Sequence, residues 1–168
     1  AALAAKSAKK PQMAAIAEAL DEMQGEMQVG EHQPLHGDRL FHLRIAEATP
    51  DADIRPTALF DAATLLLTNQ RWGQSVDLLQ RFRREFPEHK FNADVTTKLA
   101  VALKEDSRPA EAAAEYERIA ATDAGGADLQ RAALWQAAEL YAAAGQTANE
   151  ARLYEAIVAR FPDPPAEA

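Results

Sequence analysis

Three of the four histidines lie close together in the sequence, which raises the question of a metal site. His32 and His36 are four residues apart, and Asp38 and His42 follow them. Two histidines at this spacing share one face of a helix and can ligate a single ion. Pro34 lies between them and interrupts a helix there, and a second anchored ligand pair is absent from the sequence. We therefore interpret the segment as a solvated loop and predict no metal site.

Clustered carboxylates are the next candidates for chemistry, since paired acids can exchange protons with a substrate. Glu111, Glu115 and Glu117 lie within seven consecutive residues. In an acidic helical protein such a cluster is typical of a solvated helix face. The glycine pair Gly125 and Gly126 lacks the Lys-Ser/Thr that follows in a phosphate-binding loop. With no nucleophile, base and orienting group in one pattern, we predict a non-enzymatic protein without catalytic residues or cofactor.

The most basic stretch of the chain offers a possible binding surface for an acidic partner or for lipid head groups. The alternative is an ordinary exposed helix end, where cations are favoured by the helix dipole, and we favour that interpretation. The residues are Arg81, Arg83, Arg84, His89 and Lys90.

The composition indicates an all-α protein of modest size. Of its 168 residues, 48% are apolar but only 7% are aromatic, and alanine, the best helix former, is abundant. The formal net charge of −8 argues against a nucleic-acid partner, because such proteins are usually basic. The absence of cysteine excludes disulfides and thiol chemistry. No apolar run approaches the roughly 20 residues that span a bilayer.

Residues 1–54 are predicted to form a helix pair with a flexible lead-in at its start. A first helix is expected at about 12–28 and a second at about 38–48. The apolar stripe of the first helix either packs against the next helix or forms an oligomer surface. We expect a monomer by default, with a homo-oligomer possible through Met13, Leu20 and Met27. The full stripe is Met13, Ile16, Ala17, Leu20, Met23 and Met27.

From residue 55 onward the sequence repeats itself three times. Small and large apolar residues recur at a spacing of about 37 to 38 residues, which is in the range of helical repeat arrays. The pattern predicts helix pairs at about 55–90, 91–127 and 128–162, followed by a tail at 163–168. The matched sets are Ala63, Ala100 and Ala138; Leu66, Leu103 and Tyr141; Val76, Ala113 and Ala151; Leu79, Tyr116 and Tyr154; and Phe82, Ile119 and Ile157.

Local signals place the ends of these helices. Asn92 and Asp128 are expected to cap the helices that follow them. Thr147 and Glu150 have the spacing of a capping box. Gly145 is expected in the left-handed conformation that ends a helix.

The repeats resemble the tetratricopeptide repeat family over about residues 55 to 162. The resemblance rests on the small residue of the first helix, the Gly145-Gln146-Thr147 turn, the Ala151/Tyr154 pair and the closing Phe161-Pro162. The second repeat departs from it, because it lacks the turn glycine and the closing proline. The resemblance implies an all-α, right-handed superhelical array of antiparallel helix pairs. The Phe86-Pro87 and Phe161-Pro162 endings look most similar to a subgroup from bacterial envelope proteins, which favours a periplasmic over a cytoplasmic location.

The resemblance also implies a binding surface, because proteins of this family receive peptides on a concave face formed by the first helix of each pair. A tryptophan at the centre of such a face is a typical anchor. The alternative for Phe60 and Trp135 is packing between repeats. The matching positions are Phe60, Thr64, Leu67, Thr97, Val101, Lys104, Trp135 and Glu139.

The sequence thus predicts a non-catalytic scaffold that binds a protein or peptide, as a segment of a larger bacterial protein. A structural or oligomerisation module of an envelope assembly, using the N-terminal amphipathic helix, is the alternative.

Overall fold

The computed structural model describes residues 36–48, 54–122 and 125–162, together with the helical positions Ala14 and Glu18. These residues form seven α-helices and contain no strand. Contacts divide the chain into two compact units, Ala1–Val95 and Thr96–Ala168, with the boundary inside the fourth helix. The helices are α1 (His36–Ala48), α2 (Ile54–Thr68), α3 (Trp72–Glu85), α4 (Asn92–Glu105), α5 (Pro109–Ala120), α6 (Gly126–Ala143) and α7 (Thr147–Arg160). From residue 54 onward the described helices follow one another as α2 and α3, α4 and α5, and α6 and α7.

In the first unit, α1 packs on α2 and α2 packs on α3. Ala63 is completely buried, as is Ser75 on the facing helix. The hydroxyl of Ser75 donates a hydrogen bond of 2.9 Å to the carbonyl oxygen of Ala63. Two helix backbones can come this close only where both side chains are small. The matched alanine therefore has the role that its place in the repeat predicted.

In the second unit, α6 packs on both α5 and α7. The other two matched alanines, Ala100 and Ala138, are completely buried. The larger matched residues differ between repeats. Leu79 in the first unit is fully buried, whereas Tyr116 and Tyr154 are half-buried. The two tyrosines are therefore less enclosed than the leucine at the matched place.

The turns within the three helix pairs share one backbone conformation. Gln70, Ser107 and Gly145 occupy equivalent places and have φ of 58°, 58° and 71°. In each turn the following N–H reaches back to the helix just ended: Arg71 to Leu66 at 2.8 Å, Arg108 to Leu103 at 2.9 Å, and Gln146 to Tyr141 at 2.8 Å. The left-handed conformation expected at Gly145 is confirmed. Glutamine and serine adopt this conformation at the other two turns, where each has a Cβ that causes steric strain and glycine has none.

The predicted side-chain caps do not form. Helix α7 is preceded by Gln146, with no side-chain cap, so the Thr147–Glu150 capping box is wrong. Helix α6 follows Gly125 and includes Asp128 in its first turn. The amide of Asn92 instead donates to the carbonyl oxygens of Phe86 and Pro87, both at 2.7 Å. The shared turn already fixes the backbone where α3, α5 and α7 begin, so a side-chain cap is not required there.

Candidate partner-binding surface

The predicted surface residues of the first unit are held against their own helix pair. Phe60, Thr64 and Leu67 are all half-buried. The ring of Phe60 lies 4.8 Å from that of Phe91 and 6.0 Å from that of Phe82. For Phe60 the structure therefore shows packing with neighbouring rings, the alternative to a binding role.

The predicted residues of the second unit are exposed. Helix α4 presents Thr97, Val101 and Lys104 to solvent, and α6 presents Trp135 and Glu139. Val101 is 37% exposed and Trp135 is 50% exposed, which is unusual for large apolar side chains. Trp135 therefore differs from Phe60, although both occupy the same place in their repeats.

The indole of Trp135 is oriented by two neighbours. Its Nε1 donates to a carboxylate oxygen of Glu139 at 3.0 Å. The ring of Tyr154 meets it edge-on, with 5.3 Å between the ring centroids. Gln136 donates to the other oxygen of Glu139 at 3.2 Å. The structure thus brings Trp135 and Glu139 together and leaves half of the indole open to solvent.

Beside Trp135, residues of α6 and α7 line a groove of about 680 Å³. Its volume falls within the roughly 300–1,000 Å³ typical of ligand sites. Val158, at 72% exposure, is the most open large apolar residue of the described chain. We call this the C-terminal groove; it is lined by Asp128, Arg131, Ala132, Trp135, Gln136, Ile157, Val158, Phe161 and Pro162.

Sequence reasoning missed the α7 side of this groove. The signal was nevertheless present, because Val158 stands where the first repeat has the charged Arg83. An apolar residue at a place that is charged in a sister repeat indicates a surface with another use.

The carboxylates assigned to a solvated face have different surroundings. Glu111 is exposed, and Arg108 donates to both of its oxygens at 2.7 Å. Hydrogen bonding to Arg108 lowers the pKa of Glu111. Glu115 is buried, with its carboxylate 3.8 Å from Arg118. The prediction of a solvated face is therefore right for Glu111 and wrong for Glu115.

Glu117 joins three helices. On α5 it accepts a hydrogen bond of 2.9 Å from the hydroxyl of Tyr141 on α6. Arg152 on α7 donates to both of its oxygens, at 2.8 and 2.9 Å. Burial raises the pKa of Tyr141, and the hydrogen bond to Glu117 raises it further. The sequence signal was the tyrosine hydroxyl at a place where the other repeats have leucine, because a buried hydroxyl needs a partner.

The basic stretch is largely engaged within its own unit. Glu85 accepts from Arg81 at 2.7 Å and from Arg55 at 2.6 Å. The imidazole of His89 lies edge-on to Phe82 at 5.4 Å. Lys90 lies 5.4 Å from the ring centroid of Phe91. These contacts favour the interpretation of an ordinary helix end.

The histidine cluster falls largely outside the described side chains. His32 and Glu31 lie outside the described residues, as do the side chains of His36 and Asp38. The imidazole of His42 lies 4.0 Å from a carboxylate oxygen of Asp61. Within the part of the chain that the structure describes, no three His, Asp or Glu side chains group as metal ligands.

The proposed oligomer surface of Met13, Leu20 and Met27 also lies outside the described residues. Among the helices that the structure describes, none is both long and apolar enough to cross a bilayer.

Comparison with known proteins gives one family match. The model described as Tetratricopeptide repeat matches residues 57–89 and 132–164. The two segments have equal length and cover the first and third helix pairs, so Phe60 corresponds to Trp135 and Phe86 to Phe161. The match leaves out residues 90–131, which include the second pair that lacks the turn glycine and closing proline. No curated protein and no solved structure matches the chain.

Proposed function

We propose that the chain binds a peptide segment of a partner on the concave face formed by the first helix of each pair. Two of its segments match the tetratricopeptide repeat family, whose repeats generally mediate protein–protein interaction. In the second unit this surface comprises Val101 and Lys104 of α4 with Trp135 and Glu139 of α6. The family is typically non-catalytic, and we propose that this chain acts as a scaffold.

One observation carries the proposal: Val101 and Trp135, each on the first helix of its pair, remain exposed where most large apolar residues of the described chain are buried. Half-exposed tryptophan is a frequent hot spot, because it buries a large ring on binding at a low entropic cost. Lys104 is exposed one helical turn beyond Val101, so an apolar contact can be combined with an ion pair to an acidic partner. Phe60, Thr64 and Leu67 carry less of the proposal because they are half-buried.

A displayed library of random peptides tests this function. We expect selection against the immobilised chain to enrich peptides with apolar and acidic residues. The affinity of an enriched peptide is then measured by calorimetry for the wild type and for Val101→Asp and Lys104→Glu. Loss of a central contact should weaken binding by about 1–2 kcal/mol, or roughly tenfold.

Two exposed positions outside the proposed surface serve as controls. Leu129→Asp repeats the apolar-to-acidic change, and Glu155→Lys on α7 is an exposed charge reversal. The enriched peptide should bind both controls as it binds the wild type. Equal affinity for wild type and Val101→Asp would refute the proposed surface, and failure to enrich any peptide would count against peptide binding itself.

A further inference from the structure

The first repeat shows how the space at the end of a helix pair is filled. After Phe86 and Pro87, the chain turns back and places the ring of Phe91 against Phe60 and Phe82, at centroid distances of 4.8 and 6.5 Å. The side chain of Phe82 is completely buried. The backbone N–H of Phe91 donates to Nδ1 of His89 at 3.3 Å. An aromatic residue five positions after Phe86 is thus built into the first repeat.

The third repeat has residues that correspond to Phe60, Phe82 and Phe86 of the first. Trp135 corresponds to Phe60, Ile157 to Phe82, and Phe161 to Phe86, and all three line the C-terminal groove. Residues 163–168 read Asp-Pro-Pro-Ala-Glu-Ala, so Ala166 stands at the place of Phe91. An alanine side chain is too small to fill a groove of about 680 Å³. None of the residues 163–168 is aromatic, so the sequence there has no counterpart of Phe91.

A basic residue at the rim of the groove favours a ligand that carries an acidic group. Arg131 lines it and is about half exposed, with a guanidinium nitrogen 3.4 Å from a carboxylate oxygen of Asp128. Asp128 is 97% exposed, so this long contact is weak in water. A second carboxylate can reach the guanidinium, whose planar fork carries five donors.

We propose that the C-terminal groove binds an aromatic side chain of a partner protein, carried by a segment with an acidic residue close to that aromatic. The ring packs against Trp135 and Ile157, as Phe91 packs against Phe60 and Phe82, and the carboxylate pairs with Arg131. This site shares Trp135 with the concave surface and otherwise uses different residues. The aromatic part of the occupant is inferred from Phe91 in the chain's own first repeat, and the acidic part from Arg131 at the rim.

The probe is a blocked peptide with the sequence of residues 87–92, Pro-Glu-His-Lys-Phe-Asn, tested against the whole chain. The reporter is the indole N–H signal of Trp135 in a proton–nitrogen NMR spectrum, assigned with Trp135→Phe. We expect a saturable shift of this signal. The peptide carrying Phe91→Ala should bind at least about tenfold more weakly, because it lacks the anchoring ring.

Variants of the protein separate the two sites. Val158→Asp places a charge on the open wall of the groove and should weaken peptide binding by roughly tenfold or more. Val101→Asp tests the concave positions separately. Leu129→Asp is the matched apolar-to-acidic control, because Leu129 is exposed and belongs to neither site, and it should leave the affinity unchanged. All three residues are exposed, so circular dichroism should show the same helicity in the wild type and the three variants.

The outcomes are distinguishable. A shift of the Trp135 signal that requires Phe91 in the peptide and is weakened by Val158→Asp supports the proposal. No saturable shift, or equal binding of the Phe91→Ala peptide, overturns it. Binding weakened only by Val101→Asp assigns the peptide to the concave surface and overturns the groove as its site. Light scattering that shows a dimer dissociated by Val158→Asp identifies a second copy as the occupant, and also overturns the proposal.

Discussion

The three turns allow a quantitative test, because one backbone conformation is adopted by three different residues. Gln70 and Ser107 have φ of 58°, and Gly145 has φ of 71°. A left-handed conformation costs an L-residue roughly 1–2 kcal/mol. Glycine avoids this cost but gains about 0.4–1 kcal/mol of conformational freedom in the unfolded chain. The difference predicts that Ser107→Gly raises the free energy of unfolding by about 0.5–1 kcal/mol, and that Gln70→Gly has a similar effect.

The side chains themselves should contribute little to this change, since Gln70 and Ser107 are both exposed. Gln70 and Ser107 lie in different compact units, so we expect their effects to add. For a chain of this size, 1 kcal/mol corresponds to about 2–4 °C in Tm. The reverse substitution, Gly145→Ala, should lower the free energy of unfolding by a similar 0.5–1 kcal/mol, because it introduces the strain that the glycine avoids.

Urea unfolding followed by far-UV circular dichroism measures these differences. Ser107→Ala is the control, because it removes the hydroxyl and keeps the Cβ that causes the strain. It should stay within about 0.5 kcal/mol of the wild type. A neutral or destabilising Ser107→Gly, together with a neutral Gly145→Ala, would refute the argument that the turn imposes the left-handed conformation.

Two further predictions concern buried hydrogen bonds. Tyr141→Phe removes the donor to Glu117 and should lower the free energy of unfolding by about 1 kcal/mol at neutral pH; an unchanged value would contradict the contact. Because the pKa of Tyr141 is raised, its hydroxyl contributes its full stability below the unfolded pKa of about 10, and this contribution is lost as pH rises through the folded pKa. Above pH 10 the free energy of unfolding of Tyr141→Phe should therefore fall less steeply with pH than that of the wild type. An equally steep fall would contradict this. Ser75→Val should lower the free energy of unfolding by about 1–3 kcal/mol, because the larger side chain crowds against Ala63. Urea unfolding measures this change, with Ser75→Ala as the smaller control. Equal values for the two variants would mean that the space between the two helices accepts a valine.

The helix pairs were predictable from sequence because the pattern of small and large apolar residues repeats three times. Ala63, Ala100 and Ala138 occupy matched places in their helices, and all three are completely buried. The helix starts were less predictable, because capping rules consider side chains alone. Arg71, Arg108 and Gln146 precede their helices with nearly equal ψ of 62°, 62° and 64° and no side-chain cap. The preceding left-handed residue sets this geometry through the backbone.

The candidate surface was predictable in part. Matching positions identified Val101 and Trp135, which are exposed, but the same rule selected Phe60, which packs against Phe91. Position in a repeat determines the direction of a side chain, whereas its exposure depends on the chain segment after the repeat. For Phe60 the determining residue is Phe91, 31 positions further along (91 against 60).

The Glu117 cluster has a consequence for the order of the repeats. Glu117 is partly buried and accepts from both Tyr141 and Arg152, so the second helix pair recognises the third through polar groups. At the equivalent places the first pair has Gln80 and the third has Glu155. Replacing the third pair by either of the others, or deleting it, would leave the carboxylate of Glu117 without its two donors, at the cost of an uncompensated charge. The units of this array are therefore not interchangeable, and recombination within the gene would be expected to preserve the second and third repeats as neighbours.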